Sequence, residues 1–240
     1  MIDVENSEGI WRVTLNRPEK ANALTREMLI QLTQIAGHAH ADTTLKVFVL
    51  TGAGDRAFCA GADVSGGDMY AYTSDPCWTE ASAAIAALPC LSIAALNGTL
   101  AGGGFCPALA CDLRIATPRA SFFYPVLKRG YLPQPADVVR LQALVGPGRA
   151  KHLLMGGAKI DADTALTWGL IDRIVELSDF NEAIDELTLD ARAGKSESIA
   201  AIKRLFDGPT GDDLADCYRA AYDSDPAAIA RISGRATNSD

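Results

Sequence analysis

An α/β architecture with parallel strands, followed by a helical C-terminal region, is predicted from three features of this 240-residue chain. Short runs rich in β-formers alternate with helix-length apolar patterns. Two glycine-punctuated turns, CAGAD at 59–63 and AGGG at 101–104, each follow an apolar run. From about Asp179 onward the remaining periodic segments read as helices.

Gly9 to Asn16, GIWRVTLN, alternates apolar and polar residues in the period of a half-buried strand, and Arg17-Pro18 ends it. Thr25 is placed to cap a helix carrying Met28, Leu29, Leu32, Ile35 and Ala36 at helical spacing. Leu45 to Leu50, LKVFVL, reads as a buried strand closed by Thr51-Gly52. An alanine-rich helix is expected over Glu80 to Leu88, stopped by Pro89, and a strand over Leu91 to Leu96. That strand leads through NGTL into the three glycines and an apolar helix, and Leu113 to Ala116 is the next strand. Asp179–Arg192, Ser196–Phe206, Asp212–Tyr222 and Pro226–Ile232 all read as helices. The organisation expected is a core over residues 1–190 and a helical region over 191–240.

Charge and composition exclude several classes of function. A net charge of −8 leaves no basic face for nucleic acid. No apolar stretch approaches the ~18–20 residues of a membrane span. The opening MIDVENSEGI is acidic and lacks an apolar signal core, so the chain reads as cytoplasmic. Its six cysteines form no CxxC pair and it has three histidines, so no metal site is expected and the thiols read as small buried hydrophobes.

The glycine turns do not fit a phosphate cradle. No Lys-Ser/Thr follows Gly102 to Gly104, and the spacing is not GxGxxG. What remains is a tight turn presenting backbone N–H groups at the positive end of a helix. The small residues of CAGAD let a ligand approach a second stretch of backbone. Two such donors meeting one oxygen make an oxyanion hole.

Six segments resemble, in order and spacing, the enoyl-CoA hydratase/isomerase (crotonase) superfamily. They are NRPEKANAL (16–24), FCAGADV (58–64), NGTLAGGG (97–104), DLRIA (112–116), GPGRA (146–150) and ALTWGLIDRIV (165–175). The resemblance implies a crotonase-like ββα spiral core and a helical C-terminal region that builds homotrimers or hexamers. It implies an acyl-CoA or acyl-carrier thioester as substrate, with coenzyme A part of that substrate and no separate cofactor. The thioester oxygen would meet the N–H groups of Ala60 and Gly103. The CoA moiety would run beside Lys20, Ala21, Ala23 and residues Ala60, Gly61, Ala62, Asp63 and Val64, with Gly102 and Tyr131 also lining the site.

The chain departs from the family pattern at the two glutamates with which hydratases handle water. The matching positions hold Cys106 and Val126, which would line the site without serving as acids. Gln134 occupies a place where some relatives carry a working side chain. The reaction expected is therefore decarboxylation, isomerisation or C–C cleavage rather than hydration. The alternative is a non-catalytic acyl-CoA-binding homologue. Asp137, ahead of VVRL, reads as a helix-start residue.

Overall fold

The computed structural model describes residues 1–66 and 72–207. Its larger sheet orders β1 (Ile2–Ser7), β2 (Ile10–Leu15), β3 (Val47–Gly52), β5 (Leu91–Leu96), β7 (Leu113–Ala116) and β10 (Arg173–Ile174). Its smaller sheet orders β4 (Ala57–Cys59), β6 (Thr99–Ala101), β8 (Ser121–Phe123) and β9 (Lys159–Asp161). Within these sheets only β1–β2 and β8–β9 are antiparallel. The chain runs along the large sheet, steps to the small one, makes a helix and returns. β3 and β4 lead to a helix at Cys77–Ala86, and β5 and β6 to one at Phe105–Ala110. This is the expected ββα spiral.

Local chemistry explains most boundaries. Thr25 accepts the Met28 N–H at 3.2 Å and starts a helix over Arg26–Ala41 that buries Met28, Leu29, Leu32 and Ala36. Val47 to Leu50 are buried on both faces, which is why that strand is a continuous apolar run. One face of the large sheet looks into the main core. The other, bearing Val47, Val49, Ile93 and Ile115, is covered by Phe180, Ala183 and Ile184.

The helix expected at Glu80–Leu88 spans Cys77–Ala86, because Asp75 accepts the Cys77 N–H at 2.9 Å and sets an earlier start. The helix expected at Asp179–Arg192 breaks at Thr188 into Phe180–Leu187 and Leu189–Ala193, and the expected boundary after residue 190 falls inside the second piece. The small-sheet strands have three residues each, too few to show a period. The helix Ser196–Asp207 is tied to the core of its own chain: Lys203 Nζ donates to Cys90 O at 2.9 Å and to Asp112 Oδ2 at 2.8 Å. The expected helices Asp212–Tyr222 and Pro226–Ile232, with Cys217, lie outside the described residues.

Two buried asparagines fasten the small sheet to the large one. Asn22 donates from Nδ2 to Ala53 O at 3.0 Å and to Ala57 O at 2.8 Å, and its Oδ1 accepts the Arg17 N–H at 2.9 Å. Asn97 accepts the Gly52 N–H at 3.1 Å and donates to Gly54 O at 2.8 Å. Asn22→Ala leaves these buried groups without partners and is expected to destabilise the fold by about 3 kcal/mol, read as a lower denaturant midpoint with an unchanged slope.

Candidate active site

A cleft of about 430 Å³ opens at the C-terminal ends of β4, β6 and β8. These three strands run parallel, so the segments that leave them gather at one edge. They are residues 60–65, 102–103 and 124–126.

The first segment is held by the chain before the first helix. Leu24 donates to Gly61 O at 2.8 Å and accepts from the Asp63 N–H at 2.7 Å. Leu24 and Ala62 thus form a parallel bridge in which Ala62 directs its own N–H to the opposite side. Arg17 locks this arrangement, donating to Ala23 O at 2.8 Å and to Asp63 Oδ2 at 2.9 Å. The Ser65 hydroxyl and N–H, together with Arg17, hold the Asp63 carboxyl down at about 2.

The second segment is a single 3₁₀ turn, Gly102–Gly104, that runs into the helix Phe105–Ala110. Gly103 stands in its first turn, where an N–H has no acceptor within the helix. The two turns touch backbone to backbone. Gly61 takes φ +111°, and a Cβ there would stand 3.2 Å from Ala101 O and 3.4 Å from the Gly103 nitrogen. A Cβ on Gly103 would meet the Trp78 indole at 2.6 Å and stand 3.4 Å from the Ala62 nitrogen.

This geometry corrects the pairing expected from the motifs. The Ala60 N–H is spent on Ala21 O at 3.0 Å, within the scaffold. Among the described residues no acceptor engages the N–H of Ala62 or of Gly103. The donors brought together are therefore Ala62 and Gly103. The motifs alone place Ala62 only among the CoA contacts. The available signal was the alternation of backbone direction along the extended residues 60–63.

Lys20, Ala23, Ala60, Gly61 and Val64 border the cleft on one side, and Gly102, Val126, Tyr131 and Gln134 on the other. Ala21 and Cys106 do not border it. Ala21 faces the scaffold through its carbonyl. Cys106 is 0% exposed, and its thiol donates to Trp78 O at 3.3 Å. Burial pushes the pKa of that thiol well above its ordinary value, so it is a packed side chain rather than an acid. The thiols of Cys59, Cys90 and Cys111 are likewise buried and pushed up to about 12. The Gln134 amide donates to Thr73 O at 2.7 Å, tying the two sides of the mouth together. Of the carboxylates among the described residues, only Asp63 borders the cleft, and it is paired with Arg17.

Behind this wall lies a group that the motifs did not mark. Asp137 does start a helix, Pro135–Val145, but it is fully buried. Its Oδ2 accepts the Tyr124 hydroxyl at 2.8 Å, and its Oδ1 has no partner. Burial raises its pKa to about 7. Tyr124 borders the cleft with its ring stacked on Phe105, centroids 5.1 Å apart.

Comparison with known proteins agrees with this architecture. Residues 5–223 match the family described as enoyl-CoA hydratase/isomerase. A Mycobacterium leprae protein named "Probable enoyl-CoA hydratase echA6" is 38% identical over 191 residues, covering 78% of this chain and 76% of its own. Carnitinyl-CoA dehydratase of Citrobacter koseri is 32% identical over 213 residues, covering 88% and 81%. The crystal structure of an enoyl-CoA hydratase from Bacillus anthracis superposes with a TM-score of 0.86 at 29% identity, covering 97% of this chain and 93% of that one.

The buried carboxyl has a measurable consequence for stability. Between about pH 4 and pH 7 an unfolded aspartate ionises while native Asp137 keeps its proton, so the native state binds more protons and loses stability as pH rises. The loss is at most about 1.4 kcal/mol per pH unit and levels off above about pH 7. Asp137→Asn removes this term. The stability of the wild type minus that of the variant, measured by denaturant unfolding at each pH, is expected to fall across that window.

Proposed function

The chain belongs to the enoyl-CoA hydratase/isomerase family, and from that premise we propose that it polarises an acyl-CoA thioester to form an enolate, without adding water. The observation that carries this reading is the pair of unspent N–H groups, Ala62 and Gly103, on two touching turns at one cleft. An enolate oxygen bears more charge than the thioester carbonyl it arises from. Fixed donors therefore favour the transition state over the ground state. Relatives named as enoyl-CoA hydratase and carnitinyl-CoA dehydratase support the CoA thioester as substrate class. Lys20 and Arg129 border the same cleft and supply positive charge for a phosphate-bearing carrier. An acyl-carrier thioester would present the same reacting group.

The absence of hydration rests on the side chains at hand. The resemblance places the family's two glutamates at Cys106 and Val126; the first is a buried thiol and the second is aliphatic. Asp63 is held as a carboxylate by Ser65 and Arg17 and has no proton to give near neutral pH. Isomerisation, decarboxylation and C–C cleavage all pass through an enolate and need no second acid to activate water. The same scarcity of acids at the cleft among the described residues favours a second reading, an acyl-CoA-binding protein without turnover. Assembly as a homotrimer or hexamer is part of the proposal. The C-terminal helices leave Leu189, Ile202 and Phe206 exposed, which supports self-association.

Crotonyl-CoA, its β,γ-isomer and malonyl-type CoAs incubated with the protein in heavy water and read by mass spectrometry test this function. Deuterium gain without water addition, double-bond migration or loss of carbon dioxide is expected. Hydration of crotonyl-CoA at ordinary enzyme rates would overturn the reading, and thioester binding with no conversion would favour the binding-only one. Ala62→Pro deletes one donor while leaving the bridge to Leu24, which runs through Gly61 O and the Asp63 N–H. It is expected to lower turnover about a hundredfold.

A further inference from the structure

Asp137 is a carboxyl that the two polarising turns do not use. Its surroundings come from four elements. Tyr124 follows β8, Cys106 lies on the helix Phe105–Ala110, Arg140 stands one turn along the helix of Asp137, and Ser82 lies on the helix Cys77–Ala86. Arg140 donates to Ser82 Oγ at 2.5 Å and forms no ion pair with Asp137. Cys106 gives its hydrogen bond to Trp78 O. The hydrogen bond to Asp137 from these neighbours is that of Tyr124, and Oδ1 is left bare. A buried carboxyl with an unpartnered oxygen costs stability and is not explained by packing. Its partner, in turn, borders the cleft beside Gly103 and Gln134 and is fixed by its stack on Phe105.

We infer that Tyr124 and Asp137 form the proton-transfer unit of the cleft, Tyr124 as the catalytic residue facing the acyl group and Asp137 as the positioning residue that stores the proton. The inference rests on the enolate reading above. In the forward step the C–H bond next to the thioester carbonyl breaks and its electron pair passes into the enolate, whose oxygen meets Ala62 and Gly103. The proton goes to the Tyr124 oxygen as the Tyr124 hydroxyl proton moves to the Asp137 carboxylate. The reverse step returns a proton to the same carbon, or to the γ-carbon when the double bond migrates. Atoms and electrons balance with no co-reactant. Burial suits Asp137 to this task, since it is held where it gains and loses a proton near neutral pH.

The test is exchange of the α-hydrogens of butyryl-CoA for deuterium, followed by mass spectrometry between about pH 5 and pH 9, with thioester binding measured by calorimetry. Tyr124→Phe is expected to slow exchange about a hundredfold with binding unchanged. Asp137→Asn, close in shape to the protonated carboxyl, is expected to slow it about tenfold or more and to erase the inflection near pH 7. Wild-type rates and an unaltered pH profile in both variants would overturn the inference. If Ala62→Pro abolishes exchange while these two variants do not, only the role of the pair falls. If the wild type exchanges no hydrogen, the enolate reading falls and the pair's role with it. Should Tyr124→Phe fail to fold, the pH profile of Asp137→Asn decides.

Discussion

The contact on which the site depends is between two stretches of backbone. Gly61 and the Gly102–Gly104 turn approach so closely that side chains at their seam would meet carbonyl, amide or indole atoms. Backbone donors can converge on one small atom only if nothing separates the strands that carry them. The rest of the spiral serves this approach. Parallel β4 and β6 end at the same level, Arg17 presses the segment before the first helix onto Asp63, and Asn22 and Asn97 hold the intervening turn at Ala53–Gly54. The donors are thus built by the fold and not by side-chain identity, which fits a scaffold that can change its reaction by changing the residues around the cleft.

Much of this was legible in the sequence because it follows from short-range rules. The strands at 91–96 and 113–116, the cap at Thr25 and the two glycine turns are set by period, β-propensity and turn chemistry. The three-residue strands of the small sheet were not legible, since they are held by neighbours distant in sequence. The choice between Ala60 and Ala62 shows the limit more sharply. Both are alanines in one motif. Which N–H is free depends on which residue Leu24 and Ala21 take as partners, a fact of tertiary pairing. Asp137 reads as an ordinary helix start, and nothing local says that Tyr124, thirteen residues earlier, covers it.

Charged groups elsewhere show how unusual that carboxyl is. Arg114, nearly fully buried, is satisfied by Leu170 O at 2.8 Å, Cys111 O at 2.9 Å and Asp112 O at 3.2 Å, with Asp172 beyond. Asp112 accepts from Ser92 and Lys203. In both places the fold surrounds a charge with partners, and at Arg114 burial demands it. It does not do so at Asp137, and that contrast gives the residue its interest.

The ties made by the C-terminal helices carry a consequence for biosynthesis. Lys203 binds Cys90 O across 113 residues, and Lys46 binds Arg192 O across 146. The sheet face bearing Val47, Val49 and Ile93 is sealed by Phe180 and Ile184. A growing chain therefore carries an uncovered apolar sheet until nearly all of its described length has left the ribosome. Such non-local closure slows folding and lengthens the interval in which that face can meet another chain.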